Sequence, residues 1–354
     1  MFAILFAIFL ISILGQFSAS GGALTVGVEN HIARITFGLI LMFCVYFLDF
    51  KIWNSFAYLF YTVALFLLIM VSIFGTTRMG AQRWINLYFF SLQPSEIMKI
   101  ALVLALARYY SLLSFLEISG NLRVHIVPFL LTAIPSLIIL KQPDLGTAVL
   151  LFGCGVGMIF ISGFPIKYFL KFIGAGIALC PIGWFFIRDY QRNRLLTFFN
   201  PESDPHGIGY HVLQSKIAIG SGKLFGKGFL QGTQSRLYFL PEKNTDFIFT
   251  TIAEEVGFFG CVAIIFIFLA LIYNFFSVAK DSKTTFSRML CSGLGILLFL
   301  HVIINISMVM GLAPVVGIPL PFLSYGGSSM LTFLISCGLI VASASYKAKM
   351  TSHI

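Results

Sequence analysis

FFGCVAIIFIFLALIYNFFSV, Phe258 to Val278, contains no charged residue. About 20 apolar residues carry a helix across the hydrocarbon core of a bilayer. Lipid leaves a spanning chain only two solutions, helices or a closed barrel, and this run lacks the period-two alternation of barrel strands. It reads as a membrane-spanning helix. Comparable runs lie near 2–17, 32–50, 54–75, 95–115, 124–140, 146–163, 167–187, 290–312 and 327–346, and the run quoted sits within 250–278. The composition agrees, with 58% hydrophobic residues, 10% charged residues and a mean hydropathy of +0.96. The fold class expected is an all-α polytopic membrane protein of about ten transmembrane helices, forming one integral membrane domain over 1–354. The six cysteines all lie in apolar runs without CxxC spacing, which points to neither disulfide nor metal.

Basic residues orient the spans. On one side the connections carry Lys51, Arg108, Arg123, Lys167, Lys171, Lys280, Lys283, Arg288, Lys347 and Lys349, and on the other only Arg34, Arg78, Arg83 and Lys141. This asymmetry puts both termini in the cytoplasm. The first run lacks the charged start of a signal peptide and reads as a span. The long connection of about 188–249, between the seventh and eighth spans, is then extracytoplasmic.

That loop is polar, basic and rich in glycine, and it ends in PEKNTDFIF, Pro241 to Phe249. Glu242 and Asp246 there, and Glu254 and Glu255 just beyond, gather carboxylates at a membrane boundary. Charge entering the bilayer costs about 3 kcal/mol on insertion scales, so such a cluster points to chemistry or ion binding. Upstream, GSGKLFGKG (Gly220 to Gly228), with Lys216 before it, sets glycines beside Lys223 and Lys227. Backbone amides and ammonium groups so arranged suit a phosphate, although a flexible basic loop near anionic headgroups looks the same. Neither a Walker pattern nor a GxGxxG after a strand is present, and nucleic acid is not an expected partner.

Three further stretches stand out. Arg83-Trp84 precedes Gln93-Pro94-Ser95-Glu96 and Lys99, which reads as a helix start with Ser95 as a possible cap. Glu96 and Lys99 share a helix face, either as a structural ion pair or as the lining of a polar cleft. Asp144, in KQPDLGT (Lys141 to Thr147), either caps the sixth helix or orients substrate or cation. Last, Asn305 precedes GLAPVVGIPLPFLSYGGSS, Gly311 to Ser329, an irregular segment containing Ser324. Non-helical backbone at membrane depth survives only where protein buries it or a polar cavity lies beside it.

The pattern from Asn305 to Ser329 resembles the signature of the SEDS family (shape, elongation, division and sporulation). Arg83-Trp84, Gln93 to Glu96, Gln142 to Thr147, and Pro241-Glu242 with Thr245 to Phe247 are similar to further family motifs, in family order over nearly the whole chain. Gly207 to Tyr210, Gln214 to Lys216, Gly220 to Gly222 and Gln231 to Ser235 look like the elongation branch more than the division branch. Lys243-Asn244 and Tyr88 depart from the family pattern without removing a carboxylate. The resemblance implies a peptidoglycan glycosyltransferase that polymerises lipid II on the outer face of the bacterial cytoplasmic (inner) membrane. Asp246 matches the family's catalytic base. Arg83, Trp84, Glu96, Lys99, Asp144, Lys216, Lys223, Lys227, Glu242 and Ser324 are the candidate substrate-binding residues. Glu242 and Asp246 are candidate ligands for a divalent cation, Mg or Mn, and no organic cofactor is expected. The chain lacks SxxK, SDN and KTG in any soluble domain, so cross-linking falls to a partner, a class B penicillin-binding protein transpeptidase. A lipid II flippase, a transporter, is the alternative from another class. A division-branch polymerase is the alternative within the family.

Overall fold

Over its described residues each apolar run named above is mainly helical in the computed structural model of the chain, which describes residues 1–78, 81–87, 90–185, 189–205, 207–236 and 242–352. Tyr88, Arg188 and Pro241 lie outside the described residues. In order, the chain forms α1 (Phe2–Ala19), α2 (Val26–Phe47), α3 (Phe50–Ser55), α4 (Ala57–Phe74), α5 (Pro94–Ser111), α6 (Phe115–Gly120), α7 (Ile126–Lys141), α8 (Leu145–Ile161) and α9 (Ile166–Gly183). It continues with α10 (Asp189–Phe199), α11 (Ile208–Ser221), α12 (Thr233–Arg236), α13 (Ile248–Asp281), α14 (Thr285–Val309) and α15 (Gly327–Ser352). Among the described residues, seven segments have the length and apolarity to cross a membrane, and α8 is apolar but shorter. The other two expected spans, α5 and α9, carry Glu96, Lys99 and Arg108, and Lys167 and Lys171, respectively.

The connection between α4 and α5 departs from the all-helical expectation. It forms three short antiparallel strands, β1 (Thr76–Arg78), β2 (Ala81–Leu87) and β3 (Phe90–Leu92), in the order β1-β2-β3. Thr76 lies opposite Trp84, and Ile85 opposite Leu92. Pairing within so short a connection satisfies backbone groups that no helix there could satisfy. Pro94 opens α5 as expected, but Gln93 rather than Ser95 occupies the cap position, and the Ser95 hydroxyl is buried without a partner.

The chain forms two compact units, each assembled from three separated stretches. One comprises Leu39–Phe185, Phe275–Leu300 and Leu334–Ile354. At its centre α5 is buried continuously from Met98 to Ala107. Small residues let its neighbours close in, as expected where lipid removes most of the hydrophobic drive for helix association. A methyl group added at Gly155 of α8 would lie 2.3 Å from Thr132 Oγ1 of α7, and one at Gly293 of α14 would lie 2.7 Å from Val103 of α5. Pro135 inside α7 has no N–H to donate to the carbonyl of Leu131. The Tyr61 hydroxyl of α4 donates to that carbonyl instead, at 2.8 Å.

The other unit comprises Met1–Gly38, Phe186–Asn274 and His301–Phe333. Its organising feature is a break in α13 at Gly257, where φ is 68° and ψ is −164°. The glycine loop repairs the break. Phe258 and Phe259, whose N–H groups lose their helical acceptors, donate to the carbonyls of Lys223 (2.9 Å) and Leu224 (3.2 Å). The freed carbonyls of Glu254 and Glu255 accept from the amides of Lys227 (3.0 Å) and Gly228 (3.1 Å). Such contact leaves no room for side chains between the two backbones. A Cβ at Gly226 (φ +80°) would fall 1.9 Å from Glu255 O, and one at Gly257 would fall 2.2 Å from Gly226 N.

Gly226→Ala is therefore expected to lower stability by about 3 kcal/mol or more, combining a left-handed backbone with a backbone clash. Gly220→Ala, in α11 with open space around its Cβ, should be neutral or stabilising by about 0.5–1 kcal/mol. Melting temperature and folded yield of the purified variants separate the two outcomes.

Candidate functional site

In the unit that contains the break, the carboxylates of the loop end sit on a tight turn that enters α13. Thr245 N and Phe247 N both donate to Glu242 O at 3.2 Å, and Thr245 Oγ1 donates to Glu242 Oε2 at 2.6 Å. Phe247, Ile248 and Phe249 are buried behind the turn, while Asp246 remains half-buried at its edge. Three side chains or amides grip the turn from outside. Asn305 Nδ2 donates to Asp246 O (3.0 Å) and to Ile318 O (2.7 Å). Gln16 Nε2 donates to Asn244 O and Leu323 O, both at 2.9 Å, and Tyr325 N donates to Asn244 O at 2.8 Å. Gly317, at φ +73°, faces the carboxylate, and a Cβ there would lie 3.5 Å from Asp246 Oδ2. The turn therefore holds Asp246 on a rigid frame built from α1, α14 and the irregular segment after it.

Neighbouring groups tune this turn. Burial pushes the His211 imidazole below its usual range, against the upward pull of the Glu242 and Asp204 carboxylates. Burial also lowers the Lys243 ammonium. Tyr325 lies between two residues one turn apart on α2, with the His31 ring stacked at 6.2 Å and the Arg34 guanidinium 4.2 Å from its ring centroid. His31 Nε2 and Ser12 Oγ are 2.7 Å apart, and Ser12 Oγ donates to Phe322 O at 2.6 Å. Phe322 is itself left-handed at φ +65°. Ser324 turns inward as a brace, accepting from Leu320 N through its Oγ at 2.7 Å.

The lysine-bearing loop differs from the phosphate cradle that its composition allows. The amides of Gly226, Lys227 and Gly228 are committed to Gly222 O, Glu254 O and Glu255 O. Lys227 Nζ bonds Glu254 Oε1 at 2.6 Å, and the same fully buried carboxylate accepts from Thr233 N, Thr233 Oγ1 and Gln234 N. The glycines serve close packing, and the Lys227 charge neutralises Glu254. Lys223 and Lys216 are exposed, and the Lys216 stem lies against Gly311 at the carboxyl-terminal end of α14. Glu255 accepts from the Ser18 hydroxyl.

The remaining candidates belong to the other unit. Asp144 caps α8 by accepting from Thr147 N at 3.2 Å, and its second oxygen lies 3.6 Å from Arg83 Nε. Arg83 also donates to Pro143 O. Trp84, half-exposed on β2, takes the Thr76 hydroxyl on its carbonyl at 3.2 Å. Glu96 and Lys99 form a buried ion pair at 2.7 Å, with the second Glu96 oxygen unbonded. The sequence reading did not assign a site role to Asn305, Gln16, His31, Arg34, Tyr325 or Ser329. Asn305, Gln16 and Arg34, polar residues inside apolar runs, carried a usable signal.

The chain matches the "Cell cycle protein" family model that covers FtsW, RodA and SpoVE over residues 1–349. "Peptidoglycan glycosyltransferase MrdB" of Escherichia coli (strain K12) is 39% identical over 355 residues, covering 100% of this chain and 95% of that protein. "Stage V sporulation protein E" of Bacillus subtilis (strain 168) is 36% identical over 315 residues, 87% of this chain and 84% of that one. Among solved structures, a chain from a study of "structural coordination of polymerization and crosslinking by a peptidoglycan synthase complex" superposes with a TM-score of 0.83 at 28% identity, covering 98% of each chain. The crystal structure of the Thermus thermophilus rod shape determining protein RodA gives a TM-score of 0.73 at 26% identity, covering 98% of this chain and 97% of that one.

Removing the Lys227 ammonium leaves the buried Glu254 charge uncompensated. Lys227→Ala is thus expected to destabilise the protein by about 2–4 kcal/mol, whereas Lys223→Ala should change stability by less than about 0.5 kcal/mol. Thermal unfolding of the two variants in one detergent reads the difference.

Proposed function

Because the chain belongs to the FtsW/RodA/SpoVE family, the SEDS proteins, we propose that it is a membrane-embedded peptidoglycan glycosyltransferase that polymerises lipid II during cell elongation. The observation that carries the mechanistic reading is the frame around Asp246, gripped through Asn305, Gln16 and the Tyr325 amide. Glycan extension joins the 4-hydroxyl of one terminal N-acetylglucosamine to the anomeric carbon of an N-acetylmuramic acid. The C–O bond to undecaprenyl pyrophosphate breaks, with inversion. A sugar hydroxyl attacks slowly unless a positioned base accepts its proton, an effect worth about 10²–10⁴ in rate. Asp246 is that base, half-buried yet reachable. Its backbone bonds fix where the carboxylate sits.

Glu242 and Asp246 are the carboxylates that would hold a divalent cation of the Mg or Mn type, whose hard charge suits carboxylate and phosphate oxygens. No group of three or more His, Cys, Asp or Glu placed to hold a metal occurs among the described residues. A cation held there would supply positive charge for phosphate oxygens. The chain sits in the bacterial cytoplasmic membrane. Both termini lie in the cytoplasm, and the 188–249 loop and Asp246 lie on the outer face, in keeping with the asymmetry of basic residues. A class B penicillin-binding protein cross-links the product, as the pairing of polymerisation with crosslinking in the structurally similar synthase complex supports.

Asp246→Asn keeps the side chain's size and removes its basicity. Polymer formed from lipid II by the purified variant should fall by about 10²–10⁴, with lipid II binding and melting temperature retained. Near-parental polymerisation would remove Asp246 from the role and pass it to Glu242.

A further inference from the structure

We propose that the amino-terminal end of α15 and Arg34 together form an oxyanion subsite that takes the diphosphate of the lipid-linked donor. This rests on the glycosyltransferase reading above. The long helix Gly327–Ser352 directs the positive end of its dipole at its first turn. Among the described residues, the amides of Gly327, Ser328 and Ser329 donate to no protein acceptor. In the lysine-bearing loop, by contrast, the amides are already spent on the break in α13. Ser329 is 5% exposed, and its Oγ has no hydrogen-bond partner. Side chains of a helix tilt toward its amino terminus, so this hydroxyl leans toward the same free amides. A buried hydroxyl left without a partner is unfavourable unless something binds there.

Arg34 supplies the charge. Its Nε lies 3.2 Å from where a Cβ at Gly327 would be, and it has no carboxylate within ion-pair distance among the described residues. One face of the guanidinium is stacked on Tyr325, which leaves its N–H edge for planar, bidentate contact with an oxyanion. Three amides, a hydroxyl and a guanidinium offer more donors than one carboxylate can accept, and they suit the several oxygens of a diphosphate. Gly326 and Gly327 keep the approach to the backbone clear. Tyr325, which carries Arg34, also donates its amide to Asn244 O, two residues before Asp246. Base and leaving-group subsite thus share one braced segment.

The test measures binding to the full-length protein in phosphatidylcholine nanodiscs, with undecaprenyl pyrophosphate, undecaprenyl phosphate and phosphatidylglycerol as probes. Arg34→Gln should weaken undecaprenyl pyrophosphate binding by about tenfold or more, weaken undecaprenyl phosphate less, and leave phosphatidylglycerol unchanged. Ser329→Ala should weaken undecaprenyl pyrophosphate by about threefold to tenfold. Its melting temperature should stay constant or rise, because it removes an unpartnered buried hydroxyl. Ser329→Ala decides the matter alone should Arg34→Gln fail to fold. Parental affinity in the folded variants overturns the subsite. Equal loss for phosphatidylglycerol overturns it in favour of a headgroup site. Affinity that falls only together with melting temperature overturns it in favour of a structural role. A parent protein that makes no polymer from lipid II would instead defeat the glycosyltransferase reading, whatever the binding result.

Discussion

An amide or carbonyl left unpaired in apolar surroundings costs several kcal/mol, and this protein is built around places where that debt arises and is met. The break at Gly257 is the largest. It frees two amides and two carbonyls in the middle of α13, and residues 223–228 supply a carbonyl or an amide for each. The Leu131 carbonyl, deprived of a donor by Pro135, is met by a tyrosine hydroxyl. The irregular segment after α14 is met by side chains, Ser12 at Phe322 O, Gln16 at Leu323 O and Asn305 at Ile318 O. In each case the repair fixes geometry as well as satisfying a bond.

Rigidity at Asp246 follows from the same requirement. The donors that satisfy the irregular segment also bond the turn, so Asn305 and Gln16 each join two stretches of backbone far apart in sequence. A carboxylate held this way would need little reorganisation if it took up a proton in the proposed reaction. Tyr325 extends the frame through its amide on one side and its ring on the other.

The helical architecture was legible because apolar length is a direct physical requirement of lipid. Over its described residues each of the ten runs is mainly helix, although Glu96, Lys99 and Arg108 leave α5 short of the apolarity that the run pattern alone implies. The turn carrying Glu242 and Asp246 could be found because carboxylates at a membrane boundary are expensive. The function of the Gly220 to Gly228 stretch could not be read so directly. Glycine beside lysine is the same sequence signal whether the amides face an anion or another backbone, and only the partner, Glu254 to Phe259, decides. Ser324 and Ser329 illustrate the same limit. They are identical in type and close in sequence, yet one hydroxyl is an internal brace and the other lacks a protein partner. The strands between α4 and α5 left no signal because β1 and β3 have three residues each and β2, AQRWINL, does not alternate apolar with polar residues.

The polar residues of α1 carry a consequence for how the molecule is made. Ser12 and Gln16 find their partners at Phe322 and Leu323, 310 and 307 positions away. Synthesis proceeds from the amino terminus, so Ser12 can meet His31, 19 positions on, as soon as α2 is made, whereas the bonds from α1 to Phe322 O and Leu323 O must wait for nearly the whole chain. The repair at Gly257, by contrast, uses residues about thirty positions apart and can form soon after α13 emerges. Assembly therefore has a built-in order, and the frame around Asp246 is among its final acts. A chain that stops short of Phe322 keeps the Ser12–His31 and Gln16–Asn244 contacts but lacks the bonds that tie α1 to the irregular segment.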